Sequence, residues 1–382
     1  MFRVVMAAIA AASALGIRAT VPDQPLRAGC AAITEKHSDD CVRLNQIQVL
    51  GTHNSYHIAA APALQTALGE RARDADYTHR PLVEQLSRLG IRQFELDVFA
   101  DPEGGRYASP AAFRMVQGLE PLGPEMRTPG LKVLHVQDID YRTTCPTLVS
   151  CLTTIRDWSL ANPRHVPIMV LIEAKDSVPR DPDKIGFVQP HPFDRERLLG
   201  IDAEIRSVFA PGHVITPDGA RGRFPTLPAA LKGEGWPTLR ASRGKVLFAL
   251  DNTEEPRLAY LQGAPALQGR MMFVSSPPGE PSAAFLKLNE VLKGEEDAIR
   301  KAVADGYLVR TRADIPTEEA RSGSTLRRDA AFRSGAHYVS TDYPEDSPFG
   351  SGYRARLPAA ENRPARCNPV TAPPGCRNDW LE

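Results

Sequence analysis

Short apolar, β-branched runs recur along the chain past residue 44, and between them apolar residues fall at helical spacing. That alternation predicts strand-helix-strand units and a mainly parallel sheet. The strand candidates are 47–51, 92–99, 131–135, 167–173, 245–251, 271–275, 306–311 and 337–341. Eight such runs are what a closed (β/α)8 barrel requires, so the expected fold is α/β, a single TIM-type barrel open to distortion. A ninth run, 213–216, stops at Pro217 and reads as part of a connection. Among the helical stretches, 80–89 puts Leu82, Val83, Leu86 and Leu89 on one face, with Gly90 as a stop. Stretch 145–158 carries Leu148, Leu152, Ile155 and Trp158 at helical spacing, and 285–304 reads as the longest helix. Pro and Gly cluster at 102–130, 177–192, 211–228 and 276–281, which predicts long loop excursions. The resulting division is a signal peptide at 1–19, an N-terminal extension at 20–43, the barrel at 44–348 and a surface-packed tail at 349–382.

Charge narrows the partners. Lys plus Arg and Asp plus Glu each number 46 in 382 residues, and no long run of like charge occurs. A nucleic-acid binder carries a basic excess or stripe, so that class is set aside. A charged substrate must be met by a local site. No protein partner is evident from the sequence.

The N-terminus reads as a secretory signal: Arg3 supplies a positive charge, an apolar stretch runs from Val4 to Leu15, and Ala19 offers a small residue for cleavage. At about a dozen residues the stretch is too short to span a bilayer comfortably. The six cysteines fall as three close pairs, Cys30 with Cys41, Cys145 with Cys151 and Cys367 with Cys376. Such spacing suits short-loop disulfides in an oxidising compartment, secreted or periplasmic. Zinc is the rival, but no pair has the tight Cys-x-x-Cys spacing.

Candidate chemistry gathers where strands end. His53-Asn54, Glu95 with Asp97, His135 and Glu173 stand at the C-terminal ends of the first four predicted strands. In a barrel those ends share one rim, where active sites form. Alternation along 94–98 sends Glu95 and Asp97 to one face. Two acids pointing into a barrel mouth repel, and a bound hard cation such as calcium or magnesium removes that penalty. The alternative is that both acids are salt-bridged or solvated on an edge strand. Two histidines beside three acids suit an acid-base pair, whereas His57, His79, His165, His191, His213 and His337 lack such a setting. Lys175, Arg310 and Arg312 at the rim can hold phosphate oxygens or pair with a barrel carboxylate. Asp342 can orient a histidine, bind a hydroxyl or simply begin a turn.

Residues 49–56 (Val-Leu-Gly-Thr-His-Asn-Ser-Tyr), 94–98 (Phe-Glu-Leu-Asp-Val), Leu134-His135 and 171–175 (Leu-Ile-Glu-Ala-Lys), with the late strand at 338–343, together resemble the calcium-dependent phosphoinositide-specific phospholipase C family. The likeness is to its bacterial secreted branch and spans roughly 44–346. It implies a TIM-type barrel, Ca2+ as cofactor, Asn54, Glu95, Asp97 and Glu173 as metal ligands, and His53 and His135 as catalytic residues. Lys175 and Arg312 are then the substrate-binding candidates. The implied partner is phospholipid at a membrane surface, and the implied reaction is attack of the inositol 2-hydroxyl, releasing diacylglycerol and a cyclic inositol phosphate. Eukaryotic relatives carry pleckstrin-homology, EF-hand and C2 modules and basic clusters that are missing here, which favours plain phosphatidylinositol.

Two other enzymes on a similar barrel remain as rivals. A glycerophosphodiester phosphodiesterase usually reads His-Arg-Gly where this chain has His53-Asn54-Ser55, and a sphingomyelinase-D-like phospholipase is usually shorter. The non-enzyme rival is a secreted lipid-headgroup or carbohydrate binder, against which the intact histidines and acids argue.

Overall fold

The computed structural model describes residue 30 and residues 33–181, 183–360 and 363–382. The expected signal peptide and half of the N-terminal extension lie outside the described residues. Among the described residues ten strands follow in chain order: β1 Ile47–Thr52, β2 Gln93–Phe99, β3 Lys132–Val133, β4 Ile168–Ala174, β5 Val246–Leu250, β6 Met272–Val274, β7 Phe285–Lys287, β8 Leu308–Arg312, β9 Tyr338–Thr341 and β10 Ala365–Cys367. Eight of them run parallel in the order β6-β5-β4-β2-β1-β9-β8-β7. A bridge between Ser275 and Phe285 brings the two ends together into a nearly closed barrel. The β1–β2 seam is thin, with one registered pair, Gly51 against Gln93. A Cβ on Gly51 would lie 1.9 Å from Gln93 Oε1, so glycine is what lets the Gln93 side chain pass there.

The staves are buried from both sides, as parallel strands under a helical layer must be. In β4 every residue but Glu173 is buried. The longest helices among the described residues, Leu148–Ala161 and Arg195–Val208, pack on one another and share one apolar core with the staves. Thr147 caps the first of these by accepting from Ser150 N, and the Cys145–Cys151 disulfide clamps the same turn. Cys30–Cys41 and Cys367–Cys376 are also bonded, so all three expected pairs form.

Two expectations about elements need correction. Residues 131–135 do not form a barrel stave: only Lys132 and Val133 pair, antiparallel to the end of β2. A short apolar run announces a strand but not its direction or its neighbour. The missing stave is β7, which lies inside the stretch expected to be the longest helix; that helix is only Glu295–Ala304. Leu288, Val291 and Leu292 extend the apolar spacing back toward Phe285, and a three-residue strand is too short to display its own period. Beyond the barrel, β10 adds antiparallel to β1, while Tyr353, Leu357 and Leu381 are buried. No helix among the described residues is long and apolar enough to cross a membrane.

Candidate active site

Carboxyl ends of the parallel strands converge on one rim and deliver most of the chemistry there. His53 follows β1 directly. Its Nδ1 donates to Asp342 Oδ1, one residue past β9, over 2.8 Å, and its Nε2 stands 3.8 Å from Glu95 Oε1. Arg312 from β8 sits 3.3 Å from the same Nδ1 and 3.6 Å from Asp342 Oδ2. Burial, reinforced by the Arg312 charge and opposed by Asp342, brings His53 down to about 3, so the ring is neutral. His79 supports the turn by donating from Nε2 to the His53 carbonyl at 2.8 Å.

Glu95, Asp97 and Glu173 gather into one acidic group whose oxygens lie within 4.8 Å of one another. Register explains it: β2 and β4 pair Asp97 with Glu173 directly, and Glu95 lies two residues back on the same face. The acids are not on an edge strand, since β2 lies between β1 and β4. They are nevertheless paired with cations. Arg310 donates to Glu95 Oε2, and the Lys175 ammonium lies 3.3 Å from Asp97 Oδ2 and 3.4 Å from Glu173 Oε1. Burial pushes Glu95 up to about 8 against the pull of Arg310, and Asp97 up to about 7 against that of Lys175.

Asn54, with φ of 43°, donates from Nδ2 to Tyr77 Oη and leaves its amide oxygen buried without a donor. Asp97 Oδ1 has no partner and its Oδ2 only the Lys175 ammonium, and Oδ1 of Asp251, one residue past β5, is likewise unpartnered. Orphaned buried oxygens are expensive, and a hard divalent cation satisfies several at once. The donor set Asn54, Glu95, Asp97 and Glu173, all oxygen and partly anionic, fits calcium. Asp251 lies near enough for its charge to act on both Glu95 and Asp97.

His135 reaches this rim differently. It follows the antiparallel β3 and enters a tight loop closed by reciprocal backbone bonds between Val136 and Asp140. Within that loop His135 Nδ1 donates to Asp140 Oδ2 at 2.7 Å. The other face of Asp140 meets His57, whose Nε2 lies 2.9 Å from both carboxylate oxygens. His57 therefore does not belong with the unremarked histidines. Burial raises Asp140, but the two imidazoles outweigh it and hold the carboxyl well below its usual range. Both His53 and His135 line a cavity of about 280 Å³ walled by Leu68, Val136, Ile139 and Pro316.

Sequence reasoning missed Asp140, His57 and Asp251 and left Asp342 with several roles. Asp251 carried a usable signal, since it ends an apolar strand at the same rim as Glu173. Asp140 and His57 did not, because their meeting depends on a loop and not on a strand end.

A parallel barrel whose carboxyl rim collects two carboxylate-held imidazoles and buried acids suitable for a cation defines a class of metal-dependent barrel enzymes. Within that class the chain belongs to the Ca2+-dependent phosphoinositide phospholipase C family, whose model matches residues 42–369. The family's members are phosphodiesterases that depend on calcium. A calcium-dependent phosphoinositol-specific phospholipase C from a Gram-negative Pseudomonas species shares the fold with a TM-score of 0.53 and 16% identity, over 86% of this chain and 96% of that one. Its myoinositol complex aligns with a TM-score of 0.52 and 16% identity, over 88% and 98%. A Ca2+-dependent phosphatidylinositol-specific phospholipase C from Streptomyces antibioticus gives 0.50 and 19%, over 79% and 95%. At such identities the likeness is one of fold. No curated protein matches the sequence.

Proposed function

We propose that this enzyme cleaves phosphatidylinositol by attack of the inositol 2-hydroxyl on its own phosphodiester, releasing diacylglycerol and a cyclic inositol phosphate. The observation that carries this reading is the pairing of each imidazole with its own carboxylate, His53 with Asp342 and His135 with Asp140, at the rim that also holds the acids. Asn54, Glu95, Asp97 and Glu173 would hold the calcium ion, which when bound polarises a phosphoryl oxygen and lowers the pKa of a coordinated hydroxyl.

The remaining work falls to this chain's own groups. Asp342 keeps the His53 proton on Nδ1, so the Nε2 lone pair faces the site as a proton acceptor. Glu95, whose Oε1 stands 3.8 Å from that nitrogen, would be the alternative base in its carboxylate form. Asp140 fixes the His135 ring by its Nδ1, and the protonated ring then presents Nε2–H to the departing alcohol oxygen. Arg312 and Lys175 neutralise charge on the phosphate and orient it. The apolar wall of the cavity beside His135 suits the glycerol end of a lipid leaving group.

Three short-loop disulfides suit an oxidising compartment, so the enzyme works outside the cytoplasm on a phospholipid surface. The test is a substrate panel with and without chelator. Phosphatidylinositol or its lyso form should release inositol phosphate only when calcium is present. Cleavage that persists in excess chelator sinks the calcium role, while glycerol-3-phosphate release from glycerophosphodiesters alone shifts the enzyme to the diesterase reaction.

A further inference from the structure

Among the described residues two clusters have ligand atoms close enough to share a metal ion, the acids of the proposed calcium site and a second group of different chemistry, His57, Asp140 and His135. We infer that this second cluster is a site for a borderline transition-metal ion of the Zn2+ or Co2+ type, and that its occupation shuts the enzyme off.

Geometry around His57 is that of a ligand already held in its binding tautomer. Its Nδ1 donates to the Tyr77 carbonyl at 3.0 Å, leaving Nε2 to face Asp140. A backbone acceptor on the far nitrogen is the usual outer support of a metal-bound histidine, fixing both ring orientation and tautomer. The Tyr77 ring also packs on the imidazole, with centroids 4.4 Å apart. Asp140 then receives His57 Nε2 and His135 Nδ1 on the same oxygen, Oδ2, at 2.9 and 2.7 Å. Two nitrogens and a carboxylate oxygen thus already point at one another, and only bridging protons hold them there.

Those protons are the second argument. A carbonyl only accepts, so Nδ1 keeps its hydrogen, and the contact of Nε2 with Asp140 needs a proton shared between them. A divalent ion supplies positive charge at the same place and replaces the bridging protons. Small shifts would suffice, since metal-nitrogen and metal-oxygen bonds of about 2.0–2.2 Å spread tetrahedral ligands only slightly wider than the present contacts. The cluster is not sealed: His135, with a side chain 24% exposed, and Asp140 both line the cavity, where water can complete the coordination. Two imidazoles select zinc, cobalt or copper over calcium, whereas the all-oxygen group around Asp97 selects the hard ion. The two sites therefore sort metals by chemistry.

Metal bound here ties up Asp140 and His135. The loss of activity rests on the proposed role of His135 as acid; the binding does not. The experiment titrates Co2+ into the full chain in saturating calcium, reading visible absorption, with Zn2+ as competitor and turnover followed in parallel. Stoichiometric Co2+ binding, displaced by Zn2+ and weakened roughly 100-fold in His57→Gln, is expected. His135→Gln, at a partly exposed position, should show the same loss and guards against misfolding of the buried variant. Equal Co2+ affinity in wild type and both variants overturns the site. Binding that needs His57 and His135 yet leaves turnover untouched upholds the site and overturns His135 as the acid instead.

Discussion

Arg310 reaches across the barrel mouth to donate from Nη2 to Glu95 Oε2, joining two buried side chains that are 215 positions apart in the chain. A guanidinium thus stands against a carboxylate proposed to hold calcium, and Arg310 also donates to Asn289. The barrel carries its own positive charge beside the acids, so they can be buried before any ion arrives.

Replacing that charge tests the arrangement. Arg310→Met leaves Glu95 buried without its cation, and breaking a buried pair from one side costs about 3–5 kcal/mol. Urea unfolding without calcium should show that loss. Saturating calcium should recover part of it, because the ion supplies charge to the same carboxylate; an identical deficit with and without calcium would mean that Glu95 is not a ligand.

Asp97 Oδ1 has no hydrogen-bond partner and Oδ2 meets only the Lys175 ammonium, so its carboxylate is poised for a cation more than for the fold. Asp97→Asn keeps the shape and removes one negative ligand. Calcium titration by calorimetry should show at least about 10-fold weaker binding with little change in thermal stability. Unchanged affinity would move the ion elsewhere.

Among the described residues no hydrogen bond or ion pair joins His135 to the four proposed ligands, so it should separate chemistry from metal binding. In His135→Ala, kcat should fall by about 100-fold or more while calcium affinity stays level. The deficit should shrink for a substrate with a nitrophenol leaving group, which departs without a proton. A deficit of the same size for both substrates would remove His135 from leaving-group protonation.

A buried histidine away from the rim sets part of the acid sensitivity. His337 accepts the Val309 N–H at Nδ1 over 3.0 Å and donates from Nε2 to the Asn45 carbonyl over 2.9 Å. Burial brings it from 6.5 down to about 4, and protonating Nδ1 would break the Val309 bond. Between those values the unfolded chain binds a proton that the folded chain refuses, so stability is complete above 6.5 and declines as pH falls toward 4. From pH 7 to pH 5 this one group removes about 2 kcal/mol. Urea midpoints of wild type should fall more than those of His337→Gln over that interval, though the variant starts lower; parallel slopes would acquit His337.

The parallel barrel was legible because buried staves are apolar and recur at regular intervals, and the close cysteine pairs were legible because each closes a short loop. The rim position of His53, Glu95, Asp97 and Glu173 followed from the same pattern, since a strand's carboxyl end is fixed by where its apolar run stops. Only the tertiary structure exchanged residues 131–135 for β7 as a stave, because strand direction depends on which neighbour a short segment meets. Only it brought Asp342 to His53 and Asp140 to both His57 and His135, through a strand closing the barrel in one case and a five-residue loop in the other. Apolar period is a property of the chain and survives in the sequence. Which carboxylate meets which imidazole is a property of closure, and it exists only once the chain has come back upon itself.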